Sequence, residues 1–207
     1  GIGRDEKTVE FVARLLSLPM GEKKARMGFL ESTTDQADTR SPLPPLVIDA
    51  DGLNALADIK TWSQFLHRLP HGVVLTPHPG EMSRLLGTTI EEVAANRIAL
   101  ARRAAQEWAV VVVLKGAYTV VASPNGTACI NPFANPALAT AGTGDVLAGM
   151  IAGLLAQGLP PFEAAVAGTY LHGLAGQMVS EEIGVAGAVA GDLLPRLPLS
   201  IRRVAGT

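Results

Sequence analysis

Residues 139–158 read ATAGTGDVLAGMIAGLLAQG, and the fold turns on this stretch. A turn of Gly142, Thr143 and Gly144 meets one acid, Asp145, and runs directly into an apolar segment rich in Ala, Leu and Gly. Glycine tolerates positive φ and lets other groups approach the backbone closely. The segment after the turn has the composition of a buried helix, so its first N–H groups point back at the turn. Free N–H donors at a helix start carry partial positive charge and form an anion site, most often for phosphate. A carboxylate beside a phosphate does not stabilise it. Asp145 is therefore either a base for a neighbouring hydroxyl or the cap of the helix. By itself the turn is equally a plain glycine connection, and the flanking sequence has to decide.

Working outward, three apolar runs end in polar residues. Leu46, Val47 and Ile48 read as a buried parallel strand, with Asp49, Asp51 and Asn54 at its carboxyl end. Ligands bind at that end of open α/β sheets, so Asp51 and Asn54 are expected to touch substrate, although acids there also cap helices. Val73, Val74 and Leu75 form the next strand, followed by TPHPGE. Pro77 and Pro79 hold His78 on a rigid loop, the usual way a binding residue is presented. Glu81 then complements a helix dipole or contacts a hydrated metal. AVVVVLKG (109–116) is a central buried strand ending in Lys115 and Gly116, where the lysine either meets a nucleotide phosphate or reaches solvent. YTVVAS and TACIN flank a Pro-Asn-Gly turn as two short strands.

The helical spacings fill the gaps. Val9, Val12 and Leu16 mark a helix after Gly1 and Gly3, with Asp5 and Glu6 in its first turn. Residues 31–45 form a polar, Pro-rich loop, and Thr61 is expected to cap WSQFLHRL, with Trp62 and His67 packed or solvated. Thr89 and Glu92 form a capping box ahead of a stripe of Ala94, Ile98, Ala101, Ala105 and Trp108. Arg97, Arg102 and Arg103 fall on its solvated face. The pattern from 145 to 182 reads as continuing helix, with His172 a packed or partly exposed residue rather than a catalyst, and Asp192 caps a last short helix.

A chain of 207 residues, 48% hydrophobic and 17% charged with net charge −2, suits one α/β domain over 1–207. Few aromatics and no basic cluster exclude a nucleic-acid surface, and no apolar run is long enough for a membrane span. Cys129 alone makes no disulfide framework, and Cys and His show no metal-ligand spacing. A cytoplasmic enzyme is the expectation. The chain opens on GIGRDEK with no strand feeding its first glycine loop, so an N-terminal part of the domain is expected to be missing.

IDADGLNAL, LTPHPGE, VVLKGAYTVVASPNG and NPALATAGTGDVLAG stand in one order. Together they resemble the ADP/ATP-dependent NAD(P)H-hydrate dehydratases, a branch of the ribokinase-like superfamily, over Gly1 to Pro198. The resemblance implies a three-layer α/β/α sandwich around a mostly parallel sheet. It implies a repair enzyme that restores NAD(P)H from the S epimer of its hydrate, using ADP (or ATP) and Mg²⁺; with ADP it releases AMP and phosphate. By the same resemblance Lys115, Gly116, Ala117, Tyr118 and Thr119 hold the adenine nucleotide together with Gly142, Thr143 and Gly144. His78, Gly3 and Asp145 meet the hydrated dinucleotide, with Asp145 catalytic, and the metal ligands are left unassigned. Relatives form homo-oligomers, commonly tetramers, which small-residue helices would suit. GIG replaces the usual GLG and ADGLN the usual ADALN, both mild changes. Two rivals stand beside this reading: a small-molecule kinase of the same superfamily and a non-catalytic nucleotide-binding module. HPGE with KGAYT counts against the first, and intact Asp145, Lys115 and His78 count against the second.

Overall fold

The computed structural model describes residues 2–3, 5–18, 43–66, 68–69 and 72–206. Gly1, residues 31–42 of the Pro-rich stretch and His67 lie outside the described residues. One sheet holds β1 (Leu46–Ile48), β2 (Val73–Leu75), β3 (Val111–Leu114), β4 (Val120–Ala122) and β5 (Ala128–Ile130) in chain order. β1, β2 and β3 pair in parallel, with Leu46 opposite Val73 and Val74 opposite Val111. β4 is antiparallel to both its neighbours, so β5 runs the same way as β1 to β3 and only β4 is reversed.

The β-branched runs explain the layering. β2, β3 and β4 are buried on both faces, which requires helices on both sides. Val73, Leu75, Val112, Leu114, Val120 and Ala122 join one core. The helices of that core are α1 (Glu6–Leu15), α2 (Asp51–Ala57), α3 (Ser63–Leu66), α4 (Pro79–Leu86), α5 (Ile90–Ala95) and α6 (Arg97–Trp108). The alternate residues Val74, Val111, Val113 and Val121 face α7 (Thr143–Ala156) and α8 (Pro161–Glu182). This is the expected three-layer α/β/α sandwich. Two short helices close the chain, α9 (Ala190–Leu193) and α10 (Leu197–Ala205). Among the described residues, no helix is long and apolar enough to cross a membrane.

Several helix boundaries differ from the sequence reading. The stretch 145–182 is two helices, because Gly158 turns at φ 93° and Pro161 keeps Pro160 out of the helical region. Asn96 breaks 90–108 in two and resets the phase, so Val93, Leu100, Ala101, Ala104, Ala105 and Trp108 are buried while Ala94 and Ile98 are exposed. Only half of the Thr89 capping box forms. Thr89 accepts the Glu92 N–H at 3.2 Å, but the Glu92 carboxylate takes the Thr88 hydroxyl instead. WSQFLHRL shrinks to α3, leaving Thr61 in a turn and Trp62 packed edge-on against Trp108. Asp192 lies inside α9 and accepts the Val189 N–H at 2.8 Å, reaching back to the cap position rather than occupying it.

The small residues of α8 serve packing within the chain. A side chain at Gly168, Gly173 or Gly176 would overlap Ile151, the Phe133 ring or Leu138, respectively.

Candidate active site

Three parallel strands deliver three polar ends to one place. Asp49 follows β1, the Thr76–His78 loop follows β2, and Lys115 follows β3. The Lys115 N–H donates to the Pro77 carbonyl at 2.8 Å, locking the end of β3 to the loop. Lys115 Nζ then donates to Asp49 Oδ1 at 2.6 Å and lies 3.8 Å from Glu81 Oε2. Glu81 is buried as the third residue of α4 and accepts the His78 N–H at 2.7 Å. His78 is the cap of that helix: its Nδ1 accepts the Gly80 N–H at 3.0 Å, and its half-exposed ring faces the cavity described below. Helix-start compensation, one of the two readings of Glu81, is thus what its carboxylate does in the free chain.

The glycine turn approaches the same cluster. Gly142 caps α7 at φ 88°, a left-handed conformation that favours glycine. A Cβ on Gly144 would stand 3.5 Å from Lys115 Nζ and 3.7 Å from Asp49 Oδ2, so the start of α7 faces the Lys115–Asp49 pair directly. Thr143 is buried and donates its hydroxyl towards the Leu138 and Thr140 carbonyls at 2.7 and 2.8 Å, which shapes the turn. His172 of α8 supports it from behind. The Thr143 carbonyl accepts at 2.9 Å from Nε2, which therefore carries the ring proton, and burial pushes the imidazole pKa down to about 4. Of the two readings left open for His172, packed or partly exposed, the structure shows the packed one.

A cavity of about 680 Å³ opens on one side of this turn. Lys115, Gly116, Ala117 and Thr119 line one wall, and Thr143 and Gly144 border it. Tyr118 is exposed, at φ 53°, and does not line the cavity, but its N–H donates to the carbonyl of Phe133, a wall residue, at 2.9 Å. Thr119 closes the loop by donating its hydroxyl to the Gly116 carbonyl at 2.9 Å. Below it lies Arg97, assigned to a solvated face on sequence grounds. Its guanidinium donates to the Leu114 and Lys115 carbonyls at 3.1 and 3.3 Å, and burial lowers its pKa. Gly116, at φ 134°, leaves the room for it; a Cβ there would meet Arg97 Nη1 at 3.1 Å.

The opposite wall was missed by sequence reasoning. Phe133, Asn135, Pro136 and Leu138 supply it, backed by Thr169 and Gly173 of α8. Its one sequence signal is the pair of Asn-Pro steps at 131–132 and 135–136, which mark turns. Asn131 fixes the segment by donating to the Thr169 carbonyl at 2.5 Å, and Asn135 Oδ1 accepts the Ala137 N–H at 3.0 Å.

Asp145 does not line this cavity. As the third residue of α7 it is exposed and borders a second concavity of about 540 Å³, with Val146, Met150, Leu194 and Leu197. The cap of α7 is Gly142, so Asp145 does not cap it. Gly3, at φ 87°, donates its N–H to Asp51 Oδ2 at 3.0 Å, which joins two of the residues assigned to substrate. Asn54 faces the protein instead. It is buried, donates to the Ala50 carbonyl at 3.1 Å and accepts from Arg84 at 2.7 Å.

Comparisons with known proteins bear on this arrangement. The family description NAD(P)H-hydrate dehydratase matches residues 22–198. A bifunctional NAD(P)H-hydrate repair enzyme of Moorella thermoacetica is 51% identical over 160 residues, covering 77% of this chain and 30% of the relative. The ADP-dependent (S)-NAD(P)H-hydrate dehydratase of Neisseria meningitidis is 43% identical over 192 residues, covering 91% of this chain and 62% of the relative. Among solved structures, the ADP/ATP-dependent NAD(P)H-hydrate dehydratase of Bacillus subtilis, co-crystallised with ATP/Mg²⁺, superposes with TM-score 0.66 at 36% identity. That match covers 77% of this chain and 55% of the other. The chain therefore spans less than two thirds of the length of these relatives. The matched span runs from before β1 into α10 and so takes in every strand end and helix start that builds the cavity: this chain belongs to the NAD(P)H-hydrate dehydratase family.

Proposed function

We propose that this chain dehydrates the S epimer of hydrated NAD(P)H back to NAD(P)H, converting ADP to AMP and phosphate. The observation that carries the reading is the start of α7. The Thr143 N–H turns to the Thr140 carbonyl at 3.3 Å, and the N–H donors that follow it lie between the cavity walled by the 115–119 loop and the concavity bordered by Asp145. Two reactants can thus approach one phosphate site from two sides.

The adenine nucleotide takes the 680 Å³ cavity, with Phe133 and Leu138 against the base. Lys115 and the N–H groups from Gly142 to Gly144 hold its terminal phosphate. The hydrated nicotinamide ring takes the other side, near Asp145, with Gly3 and Asp51 as further contacts and His78 reaching it from the cavity, which its ring faces; Asn54 supports the Ala50 turn beneath them. Asp145 accepts the proton of the ring hydroxyl as that oxygen attacks the terminal phosphorus and AMP leaves. The helix-start donors stabilise charge on the phosphoryl group in transit. The ring nitrogen lone pair then expels phosphate while the neighbouring carbon loses a proton, restoring the double bond.

Mg²⁺ fits as a companion of the nucleotide. Among the described residues no group of three His, Cys, Asp or Glu side chains forms a metal cage. Bound together with the nucleotide, the cation would supply charge neutralisation for phosphoryl transfer. A homo-oligomer, a tetramer by the resemblance, and a cytoplasmic setting complete the proposal. Exposed Leu199 and Val204, outside the concavity beside Asp145, offer apolar surface that such an assembly would cover.

The test is to add the chain to hydrated NADH and follow the near-ultraviolet absorbance of the restored dihydronicotinamide ring, with and without ADP, ATP and Mg²⁺. A rise that requires nucleotide supports the reading and names the donor. A stable phosphorylated product with no restored NADH refutes it in favour of a kinase.

A further inference from the structure

We propose that Asp49 is a positioning residue: its carboxylate fixes where the Lys115 ammonium stands against the phosphate of a nucleotide in the cavity. The inference rests on the nucleotide-dependent reading above and adds a residue to it. Asp49 and Lys115 are 66 positions apart, just past the ends of β1 and β3, yet meet at 2.6 Å with side chains only 12% and 19% exposed. A lysine is a point charge on a flexible stem, so in a phosphate site something must choose its position. Glu81 is the other acid within reach, but the oxygen that lies 3.8 Å from Nζ already accepts the His78 N–H. Asp49 makes the choice.

The backbone around Asp49 is built for this. Ala50 sits at φ 49° and ψ −118°, a conformation that a residue with a Cβ rarely adopts and that clusters at functional sites. It lets the two flanking acids diverge: Asp49 turns to Lys115, and Asp51 to the Gly3 N–H. Opposite the pair, Gly144 leaves open the space next to Nζ and Oδ2, at the positive end of α7. An anion arriving there meets an ammonium that is held in place and partly neutralised.

Two consequences separate this from a purely structural ion pair. Asp49→Asn removes the neutralising charge, so ground-state attraction between Lys115 and phosphate rises. It also frees Nζ to drift towards Glu81, so its alignment during transfer is lost. Calorimetry of ADP and AMP binding, with steady-state turnover of hydrated NADH, reads both effects. Asp49→Asn is expected to tighten ADP on the order of threefold to tenfold, to change AMP less, and to lower kcat on the order of tenfold to a hundredfold. Both shifts should vanish in a Lys115→Met background, because residues that act through one another are not additive. Asp49→Glu keeps the charge on a longer arm; it should hold ADP affinity and lose less turnover, and it serves if the Asn variant melts early. Equal shifts for ADP and AMP, or additive effects of Asp49→Asn and Lys115→Met, would overturn the proposal. The binding arm needs no dehydration, so a chain that couples Asp49 to ADP through Lys115 but restores no NAD(P)H refutes the reaction alone. An unsubstituted chain that binds no ADP refutes both.

Discussion

Lowering the pH from 7 to 5 should destabilise this chain through one buried imidazole. His172 is 7% exposed, and burial takes its pKa from 6.5 down to about 4. The unfolded chain, with the ordinary value, binds the proton first. Stability is therefore fully present above about pH 6.5 and is lost as pH falls through the window down to about pH 4. Each pH unit inside the window is worth about 1.4 kcal/mol, so the step from pH 7 to pH 5 should cost about 2 kcal/mol from this residue. Carboxylates titrate over part of the same range, so the comparison must be with the His172→Gln variant. Its amide can still donate to the Thr143 carbonyl, but it does not titrate. Urea unfolding at pH 7, 6 and 5 gives the stability of each. The difference between wild type and His172→Gln should move by about 2 kcal/mol against the wild type over the interval. Parallel pH slopes for the two proteins would refute the assignment of His172 as a buried neutral group.

Asp145→Asn should leave ADP binding intact by calorimetry and cut turnover of hydrated NADH on the order of 10²–10⁴-fold; near-normal turnover would remove Asp145 as the base. Gly173→Ala would drive a methyl group into the Phe133 ring, on the wall of the nucleotide cavity. It should cost about 1–3 kcal/mol in urea unfolding and weaken ADP binding as well, whereas a variant with normal affinity would show that the ring moves away from the cavity. Arg97→Gln removes the donors under the Leu114 and Lys115 carbonyls. ADP affinity should fall about tenfold with the charge of Lys115 unchanged, and a variant with unaltered affinity would make Arg97 dispensable to the loop.

What was legible in the sequence was local. Apolar runs ending in His78 and Lys115 located two strand ends because burial on both faces leaves no alternation to confuse; the run ending in Asp49 located a third, although β1 lies at the sheet edge and is half-buried rather than buried, and the Gly142–Gly144 turn located the helix start. What was not legible depends on partners far along the chain. Arg97, Arg102 and Arg103 look alike on one helix, and only the fold sets Arg97 under the carbonyls at the end of β3 while Arg102 reaches the Gly126 carbonyl at 2.8 Å. The break at Asn96 had no Gly or Pro to announce it. The break before α8 did, in Gly158 and the Pro160–Pro161 pair, but the uniformly small and apolar residues on either side masked the change of helix.

The placement of Asp145 follows from how α7 divides its faces. Thr143, Gly144 and Leu147 fall on the cavity, whereas Asp145, Val146, Gly149 and Met150 fall on the second concavity. Successive residues of an α-helix point about 100° apart, so one turn of α7 serves both sides. Under the proposed function, a single helix start presents backbone donors to one reactant and a carboxylate to the second. Exchanging glycine and acid would set the carboxylate beside the Lys115–Asp49 pair, since a Cβ at 144 stands 3.5 Å from Lys115 Nζ and 3.7 Å from Asp49 Oδ2, and the second concavity would lose its acid. Order within the Gly-Thr-Gly-Asp turn is thus set by helix geometry as much as by chemistry.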